Sequence, residues 1–255
     1  MKKQLLSVAV IALTFISSAA YGFSQKGQDC SKCHSLKKEE AASLLKSFDP
    51  KIKVLDIRSG PVKYLWEVDF ETNGKKGLVY IDFPKKNLFS GNIISFQGKQ
   101  NLTQRRLASL NKINPSQIPL KDALVLGNKN AKNRIIVFSD PECPFCAKLH
   151  QEMNKVVSER KDIAFYIKMF PLKIHPRAYE KAKTIVCERS LKLLEDAYGN
   201  KTLPSPKCKT SAVDDNIKLA EKLRITSNPT IVMPDGRIFT GYRDADTIKS
   251  LVDKP

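Results

Sequence analysis

Ile135-Ile136-Val137-Phe138 is a short, continuous apolar run, the pattern of a strand buried on both faces. It leads through Ser139-Asp140-Pro141-Glu142 into Cys143, and Cys146 to Val157 then has helical composition. Ile163 to Phe170 reads as the next strand, so the segment is a β-α-β unit with a right-handed crossover expected. Few chains carry a Cys-x-x-Cys at the turn between a buried strand and a helix. Cys143-Pro144-Phe145-Cys146 occupies that turn.

A Cys at a helix start meets unsatisfied backbone N–H groups and the positive end of the helix dipole. Both favour thiolate over thiol and lower the pKa from about 8.5 toward neutrality. Cys143 is therefore expected to be an exposed nucleophile that attacks a disulfide and forms a mixed disulfide. Cys146, nearly one turn on, reaches back to resolve that intermediate. Pro144 suits the first turn, where its missing N–H costs nothing. Glu142 is expected to oppose the dipole. A plain disulfide and half of a zinc site are the competing readings, but zinc needs two further ligands and only His150 is near. No metal is assigned. Asn228-Pro229, just before a strand and well downstream of the Cys-x-x-Cys helix, is where this architecture places a cis peptide facing the redox pair.

The N-terminus has Lys2 and Lys3, an apolar run from Leu5 to Ile16, and small residues ending in Ala20-Tyr21-Gly22. This is the pattern of a secretory signal peptide over 1–22, and the run is shorter than the ~20 residues of a spanning helix. No Cys follows Gly22 directly, which argues against a lipid anchor. The expected location is the periplasm or its equivalent. Of the 255 residues, 233 would remain after removal of these 22. The net charge of +18 comes from scattered Lys and Arg without interleaved aromatics, which speaks against a nucleic-acid partner and suits a solvated cationic surface.

Residues 37–48 read as an amphipathic helix with Ala41, Leu44, Leu45 and Phe48 on one stripe. Tyr64, Trp66, Val68 and Phe70 alternate as in a half-buried strand, Asn73-Gly74 signals a hairpin, and Leu78–Phe83 and Leu88–Phe96 read as strands. A unit of roughly 75 residues is thin for a stable core alone, so it is a candidate dimerisation module. Residues 101–121 are read as a helical connector. After Phe170 come a helical stretch from Pro176 to Arg224, strands Thr230–Met233 and Arg237–Thr240, and a final helix from Asp244. The domain reading is 23–100, 101–121 and 122–255, an α+β organisation.

Ser139 to His150, Cys187 with Cys208, Ser227-Asn228-Pro229-Thr230 and the small N-terminal module together resemble the DsbC/DsbG family of periplasmic disulfide isomerases. The resemblance covers most of the chain after the leader and is strongest from about 120 to 255. It implies a thioredoxin-like catalytic domain with a helical insertion. It also implies a cystatin-like N-terminal domain that forms a V-shaped homodimer around an apolar cleft. Misfolded or mis-oxidised exported proteins would be clients, and a membrane reductant of the DsbD type would restore the thiols. By the same likeness Cys143 is the nucleophile, Cys146 the resolving thiol, Pro229 the cis-proline, and Cys187–Cys208 a structural disulfide. Read from the residues alone, Cys187 and Cys208 could close a loop worth about 3 kcal/mol, and a second redox pair is the weaker alternative. Pro-Phe between the cysteines and Asn228 before the proline depart from the Gly-Tyr and Thr common in the family, and both positions tune redox poise.

Cys30-Ser31-Lys32-Cys33-His34 is not a feature of that family. Cys-x-x-Cys-His in an exported chain is the attachment pattern of covalent c-type haem, with two thioethers and an axial His. Cys30 and Cys33 could instead form a disulfide, or relay electrons to Cys143 and Cys146. Thiol exchange itself requires no cofactor. Three functions are thus weighed: a dimeric disulfide isomerase or reductase first, a haem-bearing electron-transfer protein second, and a non-catalytic chaperone third.

Overall fold

The computed structural model describes residues 34–98 and 100–253, so the leader over 1–22 and Cys30 and Cys33 lie outside the described residues. Residues from Leu36 onward form one compact unit. Its N-terminal part opens with helix α1 (Lys38–Lys46), followed by strands β1 (Lys53–Ser59), β2 (Leu65–Thr72), β3 (Lys75–Asp82) and the short β4 (Leu88–Phe89). These four strands form an antiparallel sheet in sequence order. Asn73 and Gly74 both take positive φ, the conformation that a two-residue hairpin with the native strand twist requires. Ala41 and Leu45 of α1 are buried, but Phe48, expected on the same stripe, lies beyond the helix and is 73% exposed.

The alternation expected in β2 is only half of its pattern. Trp66 and Val68 are buried, and so are Glu67 and Asp69 on the other face. Burial of two carboxylates is tolerable because Arg58 of β1 pairs with both, and Arg106 joins them from helix α2 (Leu102–Leu110). The Tyr80 and Thr103 hydroxyls, 2.6 Å apart, tie α2 to β3. The strand expected over 88–96 is broken. The chain bends at Gly91, and Ile94–Ser95 (β5) instead pairs with Gln100–Asn101 (β6). The connector expected to be helical over 101–121 is helical only to Leu110. Asn114 precedes Pro115 and takes extended backbone angles, as sterics before proline demand, and a 3-10 turn follows at Pro115–Gln117.

The C-terminal part adds β7 (Leu124–Gly127), β8 (Asn133–Ser139), α3 (Pro144–Glu159), β9 (Ile163–Met169), α4 (Ala178–Glu188), α5 (Leu191–Tyr198), α6 (Ala212–Lys222), β10 (Thr230–Val232), β11 (Ile238–Thr240) and α7 (Ala245–Asp253). The sheet order is β11-β10-β8-β9-β7, with β8 and β9 parallel and the other pairs antiparallel. Ile135, Val137, Phe165 and Ile167 face a core shared with α3, α4, α5 and α7. Ile136, Phe138, Ala164 and Tyr166 face a second core closed by Ile118, Ala220 and Ile225. Both faces of β8 and β9 are covered, which explains their uninterrupted apolar runs. The single helical stretch expected over 176–224 is three helices, parted at Ser190 and by a loop over 199–211.

The segment after α2 is bound to the β10–β11 turn. Ile113 N–H donates to the Gly236 carbonyl at 3.0 Å, and Lys112 Nζ reaches Asp235 at 2.9 Å. Gly236 has φ +88, and a Cβ there would run into the Ile113 carbonyl oxygen. Gly236→Ala should therefore destabilise the fold by more than about 1 kcal/mol in urea denaturation, because backbone rather than a movable side chain blocks the new atom.

Candidate active site

Strand β8 ends at Ser139, and the chain turns through Asp140-Pro141-Glu142 to place Cys143 at the N-cap of α3. Asp140 builds that turn. Its backbone carbonyl accepts from Cys143 N–H at 3.2 Å and its Oδ1 accepts from Glu142 N–H at 2.8 Å. Asp140 is wholly buried, and its Oδ2 accepts from Leu172 N–H at 2.7 Å and meets His175 Nδ1 at 2.8 Å. The loop after β9 is thereby fastened beside the cysteines. Pro144 is the first residue of α3, as its fixed φ and lost donor favour.

Cys143 and Cys146 are both free thiols. The Cys146 thiol donates to the Cys143 sulfur, and the backbone N–H groups of Cys146 and Phe145 add to it. Together they outweigh desolvation and the nearby Asp140 charge, and bring the Cys143 pKa down to about 6. Burial, reinforced by the Cys143 thiolate, pushes the Cys146 thiol far up. The two sulfurs thus stand on opposite sides of neutrality.

Two expectations need correction. Cys143 is not open to solvent: it is 6% exposed, beneath the loop that holds Pro229, with its sulfur 3.8 Å from the Asn228 carbonyl. Phe145 is the exposed member of the motif, at 58%. Glu142 does not act as a bare opposing charge, because Lys181 Nζ lies 2.7 Å and Arg177 Nε 3.2 Å from its Oε1. Against the upward pull of burial, these two cations hold the Glu142 carboxyl below its ordinary value. His150 belongs to no metal cluster among the described residues; its Nε2 faces Glu195 Oε1 at 3.3 Å.

The Asn228–Pro229 peptide is cis, and the Asn228 side-chain amide donates to the Phe170 carbonyl. Cys187 and Cys208 are joined in a disulfide within the α4–α6 region. Of the Cys-x-x-Cys-His motif only His34 is described, at the exposed start of the described chain. The residues missed in the sequence come from the insertion. Tyr198 at the end of α5 lies 2.7 Å from Ser139 Oγ, and Ser139 also hydrogen-bonds Cys146. Burial, with the Cys146 charge adding to it, raises the Tyr198 phenol well above its usual value. Nothing in local spacing marks a tyrosine 52 positions downstream as a neighbour of Cys146.

The family model for a thioredoxin-like domain matches residues 120–254. The chain belongs to the thioredoxin-like family. Over 191 residues it is 24% identical to a probable thiol:disulfide interchange protein DsbC of Bordetella avium, covering 74% of this chain and 67% of that one. It is 26% identical over 207 residues to the thiol:disulfide interchange protein DsbC of Escherichia coli, covering 80% and 83%. Among solved structures, a disulfide interchange protein from Neisseria gonorrhoeae matches at 28% identity with a TM-score of 0.47, covering 54% of this chain and 97% of that one. Disulfide exchange, the activity common to these relatives' names, is the chemistry of this thioredoxin-like protein.

The depressed Cys143 pKa has a direct readout. Thiolate absorbance of the reduced protein should titrate with a midpoint near pH 6. Cys146→Ala should move that midpoint up, since it removes the side-chain donor that contributes most to lowering Cys143. A depressed value also means that this group's contribution to the stability of the reduced fold is complete above the ordinary thiol range and is lost as pH falls through about 6.

Proposed function

We propose that the protein isomerises or reduces disulfides in exported proteins, with Cys143 as nucleophile, Cys146 as resolving thiol and Pro229 lying against the reacting sulfurs. The observation that carries this reading is the split between the two thiols, one brought to about 6 and the other driven up, at the start of one helix. At neutral pH the Cys143 thiolate attacks one sulfur of a client disulfide. A Cys143–client bond forms, and the other client sulfur leaves as a thiolate. For reduction, Cys146 gives up its proton and attacks the Cys143 sulfur. The client's second thiolate leaves and takes up a proton, and Cys143–Cys146 becomes the disulfide. For isomerisation, the freed client thiolate attacks another disulfide of its own chain and displaces a new client thiolate; that thiolate attacks the client sulfur bonded to Cys143, a new client disulfide forms, and Cys143 leaves as thiolate. No cofactor takes part in these steps. A reductant of the DsbD type would return the oxidised pair to dithiol.

The reading extends to a periplasmic homodimer, supported by the exposed apolar residues of the N-terminal part. Phe89 lies on the edge strand β4, and Tyr64, Ile94 and Phe96 are also exposed. Phe145 within the motif and Ile174 next to His175 are exposed and suit contact with unfolded clients. Binding of that kind would also serve a chaperone, so the decisive test is chemical. Cys143→Ser should abolish reactivation of a protein with scrambled disulfides, and Cys146→Ser should accumulate mixed disulfides visible on non-reducing gels. Full reactivation by the Cys143 variant would reduce the protein to a chaperone.

A further inference from the structure

His150 lies four residues beyond Cys146 on the buried stripe of α3 and is 4% exposed. Side chains at that spacing are neighbours, with Cβ atoms about 5–6 Å apart. Its Nε2 is engaged by Glu195 Oε1 at 3.3 Å, and its ring packs against that of Tyr198 at 5.6 Å between centroids. No hydrogen-bond partner reaches its buried Nδ1 among the described residues. A buried polar nitrogen without a partner costs free energy and calls for a reason. The carboxylate at Nε2 favours the tautomer with hydrogen there, which leaves a bare lone pair on Nδ1.

Resolution of a mixed disulfide needs a base at this place. The Cys146 thiol is pushed up by burial, yet only its thiolate attacks. Ser139 and Tyr198 beside it are neutral hydroxyls. The Asp140 carboxylate is occupied by Leu172 N–H, Glu142 N–H and His175. Once Cys143 is bonded to a client, it is no longer a thiolate that could take the proton.

We propose that His150 is the proton acceptor for Cys146 in the resolving step, an inference that rests on Cys146 being the resolving thiol. The Cys146 proton passes to Nδ1 as the sulfur attacks the Cys143 sulfur. The Cys143–client bond breaks, and the client thiolate leaves. The imidazolium is held by Glu195, which is 47% exposed and so joins the buried ring to solvent. The Ser139 hydroxyl, shared with Tyr198, stabilises the new thiolate. Burial lowers the His150 pKa, opposed by Glu195, which keeps the imidazole neutral and able to accept at neutral pH. Glu195 and Tyr198 on α5 face this ring, and Cys146 stands one turn earlier on its own helix.

The test uses the reduced full chain and an aryl disulfide whose released thiolate is coloured. The first equivalent released reports attack by Cys143, and the second reports resolution by Cys146. His150→Gln, which keeps an amide donor for Glu195, should leave the first phase unchanged and slow the second about 100-fold, within the usual range for a lost general base. The second phase of the wild type should rise with pH through the imidazole titration, and that of the variant should instead follow hydroxide. Glu195→Gln, a change at the surface, should slow the second phase several-fold. A folded His150→Gln protein with a wild-type second phase overturns the inference. Should that variant not fold, a wild-type second phase in Glu195→Gln overturns it. Absence of the first phase from the wild type would instead remove the redox reading beneath it.

Discussion

At the start of α3 two sulfur atoms compete for one proton, and the Cys146 thiol keeps it while donating to the Cys143 thiolate. The other contributors to that anion are backbone N–H groups of the first turn. Among the described residues, no cation is one of the largest of these contributors. The largest stabilising contributions therefore come from fixed, short-range hydrogen-bond dipoles. Their effect depends on geometry, since the N-cap must hold Cys143 at the axis of the helix. That is why the turn before it is so heavily bonded. Asp140 spends both carboxylate oxygens and its carbonyl on fixing residues 142, 143, 172 and 175.

The same turn brings two carboxylates close to a thiolate, an arrangement that would defeat its purpose were they bare. Each is answered by partners from the loop after β9 or from α4: His175 and Leu172 N–H at Asp140, Lys181 and Arg177 at Glu142. The acidic residues then act as ties that draw the insertion onto the turn, and much of their field is cancelled locally. Asp140 retains some, for its charge still raises Cys143. The redox poise is a balance between this residual field and the N–H groups, and substitutions in the insertion should reach the thiols through it.

Periodicity made β8, α3 and β9 legible, because burial on both faces writes an unbroken apolar run and the helix has its own stripe. The Cys-x-x-Cys at their junction followed from the same pattern. β1 and β7 escaped notice: Lys53–Ser59 mixes Asp56 and Arg58 with its apolar residues, and Leu124–Gly127 is only four residues long. The pairing of Glu67 and Asp69 with Arg58 and Arg106 was also invisible, since polar residues in a strand read as solvent-facing until a partner is known. Glu142 illustrates the limit at the site itself. Its charge could be read, but not the two cations from 35 and 39 residues downstream that cancel it.

The insertion is therefore a wall of the site. It buries Cys146 behind Tyr198, neutralises Glu142, and carries Glu195 to His150. A wall made of three short helices and a loop over 199–211 needs its own restraint. The Cys187–Cys208 bond supplies one, together with the Thr184 hydroxyl donating to the Pro204 carbonyl across the same gap. In the proposed exchange two opposite redox demands meet within one domain: the clip would stay oxidised while Cys143 and Cys146 would work as a dithiol. The fold separates them by environment. Cys143 is activated by a helix start, and Cys187 lies in the last turn of α4, where the orphan carbonyls disfavour a thiolate. A reductant selective for activated thiol pairs would act on the first and leave the second intact.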